Sequence, residues 1–174
     1  LSGDGAADLV SDVGGVTIGG DAQGNFGDAS ATGSSIRIEA TNSAAGGTGD
    51  VTFVTIDSPV VLAQGAGDYT LGTVTSSTGN VVTVTTGGGN DSVTLNSATD
   101  VYTVNMNDGA DAVINTQSVA GSTINTGGGD DTYTPAAGAA LATLDMGAGT
   151  GDKVVLAAGD YAGDGPYLNY EVLS

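Results

Sequence analysis

Apolar and polar residues alternate along this chain in short stretches that return about every 20 residues. Val84, Val104, Ile124 and Leu144 recur at that spacing, as do Val93, Val113 and Tyr133, with Val154 continuing the second series. Polar residues flank the first series: Thr83, Thr103, Thr123 and Thr143 on one side, Thr85, Asn105, Asn125 and Asp145 on the other. Successive side chains of a strand point to opposite faces, so the aliphatic series predicts an inward ladder and the flanking series two outward ones. No window carries the 3.6-residue period of an amphipathic helix.

Between these stretches an Asp closes a Gly-rich segment, at Asp8, Asp28, Asp50, Asp68, Asp91, Asp111, Asp131 and Asp152. The intervals are 20, 22, 18, 23, 20, 20 and 21 residues. The sharpest copies are TGGGND (86–91), MNDGAD (106–111) and TGGGDD (126–131). Each repeat reads as a Gly/Asp loop, a short strand, a second connection and a second strand. One such turn cannot bury its own apolar face, but stacked turns can. The predicted fold is all-β: a right-handed parallel β-solenoid of about eight turns of ~20 residues, residues 1–174 forming one domain. Residues 157–174 depart from the repeat and are expected to be a C-terminal cap or assembly segment.

Composition sharpens this picture. Twenty acidic residues against Arg37 and Lys153 give a net charge of −18, which disfavours nucleic acid and anionic lipid as partners. There is no His and no Cys, so imidazole general bases, thiol nucleophiles, zinc sites and disulfides are all excluded. No apolar run reaches the ~20 residues of a membrane-spanning helix, and no membrane insertion is expected. Leu, Ile, Val and Phe supply only 37 of 174 residues, near the level at which highly charged chains stay disordered. The aligned ladders argue against a disordered linker. They leave the chain in need of positive charge and cross-links, which a hard divalent cation held by Asp carboxylates and backbone carbonyls would provide.

The loops resemble the Gly-Gly-x-Gly-x-Asp-x-U-x nonapeptide of RTX β-roll proteins, U being a large apolar residue. GGGNDSVT (87–94), NDGADAVI (107–114) and GGGDDTYT (127–134) carry the resemblance, with Gly89, Gly109 and Gly129 before the Asp and Val93, Val113 and Tyr133 after it. It implies several Ca²⁺ ions shared between successive turns, held by the motif Asp residues and by carbonyls of the loops: Gly87, Gly89, Asn107, Gly109, Gly127 and Gly129. It also implies secretion, to the extracellular space or a bacterial cell surface. The terminal Glu171-Val172-Leu173-Ser174 is similar to a type I secretion end. One departure stands out. The second connections, LNSATDVY (95–102), TQSVAGST (116–123) and PAAGAALA (135–142), carry no Gly/Asp signature, so metal is expected on one edge only.

The functional expectation is an extracellular, calcium-dependent structural protein, not an enzyme, whose copies assemble head to tail into a fibre, matrix or surface layer. Asp4, Tyr161, Tyr167 and Tyr170 are the expected interface residues. Three other readings stay open. The chain is alternatively a calcium-binding repeat module of a larger secreted adhesin, toxin or protease, or an ice-binding solenoid presenting its Thr-x-Thr and Thr-x-Asn array. A calcium-dependent lyase would need a base near the metal, and Lys153 beside Asp152 is the only candidate.

Overall fold

In the computed structural model, side chains are described over residues 56–63, 68–77, 81–117, 121–136 and 143–156, and elsewhere only the backbone of the strands named below. The first strands are β1 (Asp8–Val10), β2 (Gly15–Ile18), β3 (Ala29–Thr32), β4 (Ser35–Ala40), β5 (Val51–Asp57) and β6 (Val60–Gly65). Next come β7 (Tyr69–Thr75), β8 (Val81–Thr85), β9 (Ser92–Leu95), β10 (Val101–Asn105), β11 (Ala112–Asn115) and β12 (Thr123–Asn125). Last are β13 (Thr132–Thr134), β14 (Thr143–Asp145), β15 (Lys153–Val154), β16 (Tyr167–Leu168) and β17 (Val172–Leu173).

The odd-numbered strands form one nine-stranded sheet and the even-numbered strands an eight-stranded sheet, each ordered along the chain. All pairings between them are parallel. The chain therefore visits the two sheets in turn, which is a parallel β-solenoid, and no helix occurs among the described residues. The expected count of eight turns is corrected: about four coils are established. The repeat is most regular, at 20–21 residues, from the loop closed by Asp91 to the loop closed by Asp152. Outside that span the intervals vary, and the loops closed by Asp28 and Asp50 lie outside the described residues.

The ladders fall where alternation puts them. Val84, Val104, Ile124 and Leu144 are in register across β8, β10, β12 and β14, and all are fully buried. Leu71, Val93, Val113, Tyr133 and Val154 form the facing ladder across β7, β9, β11, β13 and β15, equally buried. Among the described residues the core is the seam that the two ladders share. The Thr83, Thr103, Thr123, Thr143 column is in register on the outer face of the even-numbered sheet. From residues 157–174, β16 and β17 continue both sheets: Leu144 faces Tyr167, and Val154 faces Leu173.

Candidate functional site: a buried aspartate ladder

At the end of each Gly-rich loop the chain turns into an odd-numbered strand. Asp91 lies two residues before inward-facing Val93, Asp111 before Val113 and Asp131 before Tyr133, so alternation sends these carboxylates inward as well. Asp91, Asp111, Asp131 and Asp152 are at most 2% exposed. They stack one per coil. Oδ1 of Asp111 accepts the backbone N–H of Asp91 at 2.7 Å, Oδ1 of Asp131 that of Asp111 at 2.9 Å, and Oδ1 of Asp152 that of Asp131 at 2.9 Å. The ladder stops at Asp91, whose Oδ1 accepts the N–H of Tyr69 at 2.8 Å.

The second oxygen of each carboxyl is different. Oδ2 of Asp91, Asp111, Asp131 and Asp152 is buried and has no hydrogen-bond partner in the chain. A buried carboxylate oxygen without a partner carries most of its desolvation cost, and the proton affinities follow. Burial is the main force raising Asp111 to about 7, and the charges of Asp91, Asp131 and Asp68 add to it against the hydrogen bond from Asp91. Burial also pushes Asp91 and Asp131 above the usual carboxylate range, while backbone N–H groups and the nearby hydroxyls of Thr86 and Thr126 pull the other way.

Glycine packing brings carbonyls to the same place. Gly109 has φ +147°, and a Cβ built on it would lie 1.7 Å from the Gly89 carbonyl oxygen and 3.1 Å from Oδ1 of Asp111. A Cβ on Gly149 would meet the Gly129 carbonyl oxygen at 2.0 Å and the two Asp152 oxygens at 2.6 and 2.9 Å. Only a residue without a side chain lets loop carbonyl and carboxylate approach each other in this way. The outer loop positions are closed by backbone: Gly128 N–H donates to the Asn107 carbonyl at 2.7 Å and Ala148 N–H to the Gly127 carbonyl at 2.8 Å. Asn107 holds the left-handed conformation at φ 68°, and its side-chain amide donates to the Thr86 carbonyl. Gly87 is half-buried at the corresponding place one coil earlier.

Asp68 is not a rung, which corrects the stacking expected from the repeat. The odd-numbered sheet pairs Thr70 with Ser92, an offset of 22 residues, so Tyr69 occupies the register of Asp91. Asp68 falls in the row of Asn90 and accepts its N–H at 2.7 Å. That row is a second, solvent-facing ladder: Asn90 Oδ1 accepts from Ala110 N–H at 2.8 Å, and Asp130 Oδ1 from Thr150 N–H at 3.2 Å. Asp8 opens β1 opposite Ser30. Asp4, Asp28, Asp50, Tyr161 and Tyr170 lie outside the described residues, and Tyr167 opens β16 opposite Leu144.

Two features escaped the sequence reading. Asp100, at the second connection, is 1% exposed, and its Oδ2 accepts the Ser76 N–H at 2.9 Å. Its signal was position, two residues before inward-facing Tyr102, whose hydroxyl donates to the Val74 carbonyl at 2.9 Å. The other is the buried row that opens the Gly loops: Thr86, Met106, Thr126 and Met146, all at most 1% exposed.

Among the described residues no three acidic side chains converge to hold a metal ion. One carboxylate per coil, with loop carbonyls beside it, is the donor set that is present, and it is all oxygen. The four unpartnered Oδ2 atoms fit a hard cation of flexible coordination such as Ca²⁺. Comparison with known proteins finds no matching family model, no matching curated protein and no matching solved structure.

Proposed function

We propose that this chain is a calcium-dependent structural solenoid of the extracellular space, not an enzyme. The observation that carries the reading is the column of four buried Asp Oδ2 atoms without partners. Asp91, Asp111, Asp131 and Asp152 would hold the ions together with the carbonyls of Gly89, Gly109 and Gly129. Bound Ca²⁺ supplies positive charge to a strongly acidic chain and links adjacent coils. Such binding contributes directly to folding free energy, because the unfolded chain has no preformed site. Millimolar extracellular calcium saturates even weak sites of this kind. The resemblance of the loops to the RTX nonapeptide supports the same reading and the secreted location.

Assembly is the second part of the proposal. In the described sheets β1 and β2 at one end, and β16 and β17 at the other, have one neighbour each. Parallel strands of common direction allow a second copy to extend both sheets head to tail, a heterologous contact that propagates.

A calcium titration in chelator-treated buffer tests the reading, followed by far-UV circular dichroism and calorimetry. Heat of binding with a gain in β signal or thermal stability is expected. A chain that binds no calcium, with an unchanged spectrum and melting temperature, overturns it. Light scattering at high protein and calcium concentration tests assembly, and a persistent monomer refutes it.

A further inference from the structure

The loop closed by Asp152 differs from its neighbours by one residue. In the loops closed by Asp91, Asp111 and Asp131 a single residue, Asn90, Ala110 or Asp130, stands between the last glycine and the Asp. Two residues, Thr150 and Gly151, stand between Gly149 and Asp152. The pairing absorbs the extra residue inside the loop. Gly128 pairs with Ala148, an offset of 20 residues, whereas Thr132 pairs with Lys153, an offset of 21. An extra residue between two paired positions bends the chain and re-aims the side chain beside it.

The re-aimed side chain is that of Asp152. A Cβ on Gly149 marks a point 2.0 Å from the Gly129 carbonyl oxygen, 2.6 Å from Oδ1 of Asp152 and 2.9 Å from its Oδ2. Three oxygens from two coils converge there. At the equivalent point on Gly109 the nearest Asp111 oxygen is 3.1 Å away, and on Gly129 no Asp131 oxygen lies within 3.4 Å. Asp152 is 1% exposed, and its Oδ2 has no hydrogen-bond partner. Its Oδ1 accepts the Asp131 N–H, which leaves that oxygen a free lone pair. A second carboxylate borders the same loop. Asp130 Oδ1 accepts the Thr150 N–H at 3.2 Å, and a Cβ on Gly151 would meet the Asp130 carboxyl at 2.9–3.2 Å. One coil earlier the corresponding residue is Ala110, which has no side-chain oxygen.

We infer that the inserted residue makes the loop closed by Asp152 the tightest cation site of the ladder, Asp152 binding through both carboxyl oxygens beside the Gly129 carbonyl. Two-oxygen binding by a carboxylate suits Ca²⁺, and oxygens already gathered need less rearrangement to receive an ion. The charge of Asp130 adds to the attraction. The inference rests on the cation-binding reading above and adds an order of filling to it. The Gly-Gly-x-Gly-x-Asp pattern does not supply this arrangement, since it leaves one residue between glycine and Asp.

Calorimetric titration of the full chain with Ca²⁺ tests it, using Asp152→Asn, Asp131→Asn and a chain with Gly151 deleted. Asparagine keeps an acceptor for the backbone N–H of the preceding rung and removes the charge and the second carboxylate oxygen. Asp152→Asn is expected to weaken the tightest class of site by about tenfold or more, since loss of a supporting group alone costs a metal site that much. Asp131→Asn is expected to remove a weaker event. Deleting Gly151 restores the spacing of the other loops and is expected to merge the tightest class with the weaker ones. Circular dichroism in the same buffers reports folding. If a variant unfolds, residue-resolved NMR of the parent gives the order directly: amide signals of 149–152 are expected to move at lower calcium than those of 109–111 and 129–131. Tight binding that survives Asp152→Asn or the loss of Gly151 overturns the inference while leaving the calcium reading intact, and so does a parent whose rungs fill together. A parent chain that takes up no calcium overturns both.

Discussion

Asp91 donates its backbone N–H to the Oδ1 of Asp111 at 2.7 Å across one coil, while its own Oδ1 accepts the Tyr69 N–H, so the loop's acidic residue is at once a donor to the next rung and an acceptor from the strand before it. The residue that gives the chain its charge thus also sets the stacking of its coils. Each carboxyl spends one oxygen on the backbone ladder and keeps one for something else.

The first consequence is mechanical. Removing the Asp111 side chain leaves the Asp91 N–H buried without an acceptor. Asp111→Ala is expected to lower the stability of the metal-free protein by about 1–3 kcal/mol at pH 5, where the Asp111 carboxyl of the parent, raised to about 7, is mostly neutral. Urea denaturation in chelator measures it. Equal stability of parent and variant would mean that the rung bond does not hold the coils.

The second concerns pH. Folding raises the proton affinity of Asp91, Asp111 and Asp131, with Asp111 carried from 3.8 to about 7 by burial above all. Between those values the folded chain binds more protons than the unfolded one, so stability falls as pH rises. In chelator the contribution is fully present below about pH 3.8 and gone above about pH 7. Calcium, which needs the ionised form, is expected to reverse the trend, its stabilising effect growing over the same window. Denaturation at pH 4, 5.5 and 7.5, with and without calcium, is the measurement. A metal-free stability that rises with pH contradicts the buried ladder.

The repeat, the two apolar ladders and the outward Thr column were legible because a period of 20 stacks like on like when every coil has the same length. Legibility failed where coil length varied. Asp68 precedes Asp91 by 23 residues, and the even-numbered sheet honours that offset by pairing Val61 with Val84. The odd-numbered sheet uses 22, pairing Leu71 with Val93, so the loop residue slips by one place. A one-place slip in a strand exchanges its faces, and it takes Asp68 out of the core row. The inward aim of the Asp residues was readable in principle from Val93, Val113 and Tyr133, two residues on, but the Gly-rich segment before each Asp has no alternation from which to continue a strand face. Asp100 had no glycine neighbours and gave no loop signal at all.

That slip is itself testable. Asp68 is partly exposed and bonds across the outer row, to Asn90 N–H, and an Asn at this position keeps the acceptor. Asp68→Asn is expected to leave calcium stoichiometry unchanged, with only the small loss of affinity that removing one nearby charge brings, whereas Asp131→Asn removes a binding event. Calorimetry on the two variants compares them directly. An Asp68→Asn chain that also loses a site would restore Asp68 to the ladder.

The last test addresses the glycines. Gly88 and Gly109 belong to adjacent loops and look interchangeable in sequence, yet their surroundings differ. A Cβ on Gly88 would meet only the Asp108 carbonyl oxygen, at 3.8 Å, an ordinary contact. On Gly109 it would lie 1.7 Å from the Gly89 carbonyl oxygen, with a backbone φ of +147° that side chains rarely adopt. The obstacle is backbone, so no rotamer change relieves it and the two coils must separate. Gly109→Ala is expected to cost about 3 kcal/mol through strain and lost stacking. Gly88→Ala should fall within about 0.5 kcal/mol of the parent, since alanine also narrows the unfolded ensemble. Calcium binding should follow stability: the separation forced at Gly109 moves the Gly89 carbonyl away from Asp111, while Gly88→Ala leaves both in place. Paired thermal melts and calcium titrations decide it. Equal costs at the two positions would show that the loops are not packed coil on coil as described.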